Sequence, residues 1–173
     1  LRLSRTDELT GLLNRRAFLE DELPRRVARH ARDGLAAALF YVDLDNFKWV
    51  NDLHCHQQGD QVLRALAEFL SVHTRPTDLV ARFGGDEFAL WMDGLDAAAV
   101  EARARRLIHS SAVLAVHSAD PDHPLGISVG VAVFDPASGE SIGEMVARAD
   151  AAMYDVKRHG KGGYRIAPAF EGA

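Results

Sequence analysis

Gly84, Gly85, Asp86 and Glu87 set two adjacent carboxylates beside two glycines, between the apolar runs 79–83 and 88–92. That arrangement predicts a β-hairpin with its acids at the tip. Glycines let a backbone pass close to a bulky ligand, and neighbouring acids suit a divalent cation, so the quartet points to a metal-bound polyphosphate. Taken alone it also reads as a solvated turn, since surface turns are rich in these residues. A second acidic pair, Asp43 and Asp45, ends the apolar run 36–42, AAALFYV. Such a run predicts a central strand buried on both faces, and its carboxyl end is where open α/β sheets place ligands. Either acid could face the hairpin. His54-Cys55-His56 puts three potential ligands in a row, but adjacent residues rarely all reach one tetrahedral ion, and no second cluster accompanies them. Lys157, Arg158 and Lys161 gather near the end of the last predicted helix, where they complement its dipole or bind phosphate.

The elements that must position these groups follow from periodicity and punctuation. Residues 1–16 predict a lead-in helix end and turn, with Thr10 and Gly11 between leucines. Asn14 can cap a helix through Phe18, Leu19, Leu23 and Val27, which Pro24 either kinks or starts. A short helix and a loop are expected over 46–58. Val62, Leu63, Leu66, Phe69 and Leu70 then recur at helical spacing over 61–72. Residues 96–111 predict a helix, 126–134 (GISVGVAVF) a strand, and 164–167 a short final strand. Ser141 with Glu144 forms a capping box for a last helix, whose buried stripe is Ile142, Met145, Val146, Ala149, Met153 and Val156. Gly160 can close that helix in a left-handed conformation.

At 173 residues, 47% hydrophobic and 26% charged, the chain fits one globular domain over 1–173. A net charge of −5 argues against a nucleic-acid polymer as partner, so phosphate contacts should be local. Cys55 is the sole cysteine, which excludes an internal disulfide and suits a reducing, cytoplasmic setting. No apolar run approaches the ~20 residues needed to span a bilayer, so this domain itself is expected to make no membrane contact. The chain starts at Leu1, which suggests the C-terminal piece of a longer signalling protein that can itself be membrane-anchored.

Taken together, DELTGLLNRR (7–16), DLDNFKWVND (43–52), QGDQVLR (58–64), RPTDLVARFGGDEF (75–88), ISVGVA (127–132) and RADAAMYDVKRHGK (148–161) resemble the GGDEF family, the catalytic domain of diguanylate cyclases. The resemblance covers nearly the whole chain in order. It implies an α/β (α+β) palm-like nucleotidyl-cyclase fold: a central, mainly antiparallel sheet of about five strands packed by helices. It also implies the condensation of two GTP into cyclic di-GMP by a homodimer, with two Mg2+ or Mn2+ per active site.

By the same resemblance, Asp43, the Leu44 carbonyl, Asp86 and Glu87 hold metal, with Asp86, Glu87 and Lys48 catalytic. Asn51 and Asp60 read guanine. Backbone amides of Asn46 and Phe47, with Lys48, Lys157 and Lys161, cradle the triphosphate, and Gly84 and Gly85 keep the hairpin close to it. Arg75 and Asp78 match the family's RxxD inhibitory site for product, with Arg106 as a supporting arginine, and an upstream sensory or regulatory domain is expected in the parent. Three departures stand out. Cys55 replaces a usual glycine and strains the loop if that position needs φ > 0; Lys161 and Gly162 stand where arginine and asparagine are common; Pro76 sits inside the inhibitory motif. The alternative to a cyclase is a module that binds GTP or cyclic di-GMP without making product; a third reading is a cyclase acting on one GTP or on a mixed nucleotide pair.

Overall fold

A computed structural model of the chain describes residues 3–172. Its centre is β2 (Ala37–Asp45), a nine-residue strand in which eight residues are buried, as the unbroken apolar run requires. On one side it pairs antiparallel with β4 (Glu87–Asp93), which turns back from β3 (Leu79–Gly84). On the other side it pairs antiparallel with β5 (Gly126–Phe134). A two-residue strand β1 (Leu13–Asn14) and β6 (Tyr164–Ile166) add parallel at the two edges, giving the order β1-β3-β4-β2-β5-β6. The described sheet thus has six strands where about five were expected. The extra one is too short to carry a periodic signal.

Alternation along β2 divides the core. Phe40, Val42 and Leu44 point to one face and pack with α3 (His56–Val72) and α4 (Ala97–Ser110). Leu39 and Tyr41 point to the other, against α1 (Leu23–Asp33) and α5 (Ile142–Arg158). The short α2 (Phe47–Leu53) follows β2 directly.

Several boundaries move. The lead-in is a turn at residues 8–10 followed by β1, with no helix end among the described residues; Leu1 and Arg2 lie outside them. Asn14 does cap, its Oδ1 accepting from the Ala17 amide at 2.8 Å. What it caps is a wide π-turn, Ala17–Glu22, and Pro24 then starts α1, which runs past Val27 to Asp33. The helix expected over 61–72 begins at His56, so most of the expected loop is its first turn. That stretch is polar and exposed, and periodicity of apolar residues cannot reveal it. The capping box at Ser141 and Glu144 forms, and Gly160 leaves α5 at φ 112°. Among the described residues no helix is long and apolar enough to cross a membrane.

Candidate active site

The carboxyl end of β2, the β3–β4 hairpin, α2 and the end of α5 converge. Register sets Asp43 opposite Glu87, and the Leu44 amide donates to the Asp86 carbonyl at 3.3 Å, so the strand end and hairpin tip are locked together. The tip is a two-residue turn of Gly85 and Asp86, with Gly84 at φ 133° and Gly85 at φ 50°, values a side chain would oppose. Arg82 Nε and Nη2 donate to the Gly85 carbonyl at 3.1 and 2.9 Å, and its Nη1 reaches Asp7 Oδ1 at 3.0 Å. Burial raises the Asp7 carboxyl, but hydrogen bonds from Thr10 and the Arg82 charge outweigh it and hold the group below its ordinary value. Arg82 and Asp7 therefore brace the tip. Sequence reading did not single them out, because 75 residues separate the pair.

Between the two acids that end β2, the fold decides. Asp45 is buried and saturated: Oδ1 accepts from Ser128 Oγ at 2.6 Å and meets Lys157 Nζ at 2.9 Å, while Oδ2 accepts from the Gly162 amide at 2.8 Å. Asp43 has Oδ1 buried without a hydrogen-bond partner. Its carboxyl is pushed up to about 8, first by burial and then by the Asp86 charge, with the Lys157 ammonium opposing. A buried, unsatisfied carboxylate repelled by its neighbour is a group that a cation would relieve. With the Leu44 carbonyl the donors are hard oxygens, which fit Mg2+ or Mn2+.

Among the described residues no three His, Cys, Asp or Glu side chains gather as a metal cluster, His54, Cys55 and His56 included. Further ligands would be backbone, water or phosphate oxygens, the usual Mg2+ environment. Lys157 Nζ already donates to the Leu44 carbonyl at 2.6 Å, which leaves one lone pair there for a metal. Glu87 Oε2 accepts from Tyr41 Oη at 2.9 Å, and burial together with Glu87 pushes the Tyr41 phenol above its ordinary range.

Asn51 lies against Gly59, the residue before Asp60, across the α2–α3 corner. A Cβ on Gly59 would lie 2.5 Å from Asn51 Oδ1, so the amide of Asn51 rests on the turn that presents Asp60. Cys55 between them takes φ −76° and ψ 165°, an unstrained N-cap geometry. The strain expected at Cys55 is therefore absent, because the chain enters α3 there in an extended conformation. Asn46 holds φ 65°, its Nδ2 donating to the Pro124 carbonyl at 2.8 Å and its Oδ1 accepting from Lys161 Nζ at 3.0 Å. Phe47 opens α2, and Lys48 stands exposed on it.

Farther along, residues 75–78 form a β-turn in which the Asp78 amide donates to the Arg75 carbonyl at 2.9 Å and the Arg75 amide to Asp78 Oδ2 at 2.8 Å. Pro76 occupies the second position of that turn, where its fixed φ is favoured. Asp78 Oδ1 is buried without a hydrogen-bond partner and lies 3.5 Å from Arg75 Nη2. Arg75, Arg103 and Arg106 line one cavity of about 220 Å³ with His73. Arg103 had not been expected there; its i, i+3 spacing from Arg106 on α4 is the signal that could have found it.

The sequence matches the family described as "Diguanylate cyclase, GGDEF domain" over residues 4–163. It is 37% identical over 163 residues to the diguanylate cyclase DgcP of Pseudomonas aeruginosa, covering 94% of this chain and 24% of that protein. It is 35% identical over 167 residues to the bifunctional diguanylate cyclase/cyclic di-GMP phosphodiesterase MucR of the same species, covering 95% and 24%. The chain thus spans about a quarter of the length of these relatives. Among solved structures it is similar to the GGDEF domain of DgcB from Caulobacter crescentus in complex with c-di-GMP, with a TM-score of 0.82, 34% identity, and coverage of 96% of this chain and 97% of that one.

Proposed function

The chain belongs to the GGDEF-domain family of diguanylate cyclases, and on that premise we propose that it condenses two GTP into cyclic di-GMP and two pyrophosphates across two facing copies. The observation that supports this best is the buried, unpartnered oxygen of Asp43 beside the Asp86 turn. Asp43, the Leu44 carbonyl, Asp86 and Glu87 would hold two Mg2+ or Mn2+ ions, which when bound activate a 3′-hydroxyl and neutralise charge at the α-phosphate.

The chain's own groups do the rest. Asp60 accepts the N1 and N2 hydrogens of guanine while the Asn51 amide bonds other atoms of the base, so adenine, which lacks that donor pair, would leave the Asp60 carboxylate without its partners. Asn46 and Phe47 amides with Lys48, Lys157 and Lys161 hold the triphosphate, Lys161 exchanging the Asn46 oxygen for phosphate. Gly84 and Gly85 keep the hairpin backbone close. Arg75, Asp78 and Arg106, joined by Arg103, take the product, an arginine fork meeting phosphate or the guanine Hoogsteen edge. The setting is cytoplasmic, beneath an upstream sensory or regulatory module in the parent.

The test is incubation of the chain with GTP and Mg2+ over a range of protein concentrations, followed by chromatography of the nucleotides. Cyclic di-GMP should form with a steeper than linear dependence on protein, and Asp86→Ala or Glu87→Ala should abolish it while circular dichroism stays unchanged. GTP bound but never converted would favour the binding module instead. Adenine-containing product from mixed GTP and ATP would point to the mixed cyclase.

A further inference from the structure

The RxxD turn is tied from outside by a cluster that no part of the proposed chemistry uses. Arg26, on α1 and 51 residues away, donates through Nη1 to the Thr77 carbonyl at 2.5 Å and to Asp93 Oδ2 at 2.5 Å. The same Asp93, at the end of β4, accepts from His30 Nε2 and Trp91 Nε1 on its Oδ1 at 2.6 and 2.7 Å. Arg29 Nη2 approaches its Oδ2 at 3.4 Å. The backbone carbonyl of Asp93 in turn accepts from Arg75 Nη2 at 2.5 Å. Arg26 and Asp93 side chains are only 19% and 14% exposed, so this is a largely desolvated hub rather than a surface ion pair.

The arrangement fixes both halves of the motif. Asp93 holds the guanidinium of Arg75 by one nitrogen and leaves its remaining donors for a ligand. Arg26 holds the middle of the turn by the Thr77 carbonyl, between Arg75 and the buried Asp78. Buried charge pairs add little net stability over apolar packing but specify geometry, and the geometry specified here is that of the inhibitory motif. We propose that Arg26 and Asp93 are positioning residues for the product site, coupling the shape of the RxxD turn to helix α1. This rests on the assignment of residues 75–78 to product binding given above.

The experiment measures inhibition of turnover by added cyclic di-GMP, and its binding by titration calorimetry, in the wild-type chain, Arg75→Ala, Arg26→Met and Arg26→Lys. Arg26→Met should raise the inhibition constant about tenfold, the loss of roughly one charged hydrogen bond, with kcat and KM for GTP within about twofold of wild type. Arg26→Lys, which keeps charge and donors, should recover part of the loss. Asp93→Asn keeps the backbone carbonyl on Arg75 while weakening the hold on Arg26; it should shift inhibition in the same direction and serves if Arg26→Met does not fold. Wild-type binding that Arg75→Ala abolishes but Arg26→Met and Asp93→Asn leave unchanged would overturn the brace alone, as would a fall in kcat that tracks the loss of inhibition. Failure of the wild-type chain to bind cyclic di-GMP would overturn the product-site assignment and the brace with it.

Discussion

Asp43 sits in an electrostatic conflict with Asp86, and its sign is testable. Its carboxyl is raised to about 8 by burial and by Asp86, so the folded chain keeps a proton that the unfolded chain gives up. An unfolded aspartate titrates near about 3.9, and between about pH 4 and about pH 8 the native state binds more protons. Stability from this group is full below that window and is lost as pH rises through it. Melts without divalent cation should therefore show Tm declining from about pH 5 to about pH 8. Asp43→Asn should flatten the decline, and Mg2+ should raise Tm more at the alkaline end. A wild-type Tm that climbs over the same interval would contradict the charge conflict. Gly59 offers a second test at this scale. A Cβ there would displace the Asn51 amide, a side chain that can swing away. Gly59→Ala should cost little stability but raise KM for GTP about tenfold, the loss of roughly one hydrogen bond. An unaltered KM would separate Asn51 from guanine binding.

Helix α5 reaches the site because it lies against β5 with nothing between them. A Cβ on Gly130 would fall 1.9 Å from the Ala149 carbonyl oxygen and 2.3 Å from the Met153 nitrogen, and backbone atoms cannot rotate out of the way. One turn past Met153 comes Lys157, bonded to the Leu44 carbonyl and Asp45. Gly130 thus sets the depth from which Lys157 reaches the end of β2. Gly130→Val should destabilise the chain by about 3 kcal/mol in urea unfolding, the upper end of core overpacking. Loss of turnover should exceed what residual unfolding explains, since the lysine is displaced with the helix. A fully active, equally stable variant would show that α5 can shift without consequence.

At the scale of the whole molecule, the proposed function gives each chain one set of guanine and phosphate groups, so joining two GTP would need a second copy opposite the first. Fusion to a dimeric coiled coil should raise specific activity tenfold or more at dilute protein, because tethering supplies effective concentrations of about millimolar. Equal activity of free and fused chains would argue that one copy suffices. The central strand, the acidic hairpin, the α5 capping box and most of the candidate site residues were legible in the sequence, since burial on both faces, turn chemistry and caps are written in neighbouring residues. So was the family, carried by six short segments in order. The start of α3 was not legible, because its first turn is polar and exposed, nor was β1, which is two residues long. Position at the end of an apolar run left Asp43 and Asp45 equivalent, and among sequence signals the family resemblance alone chose Asp43. The tertiary structure supplies the physical difference, by placing Ser128, Lys157 and the Gly162 amide around Asp45 and the hairpin turn beside Asp43. The same holds for Arg82 on Asp7 and for Arg26 on Thr77 and Asp93, whose partners lie 51 to 75 residues apart. Local propensity determines which elements form; which charge meets which across that separation is decided when the sheet and its helices pack.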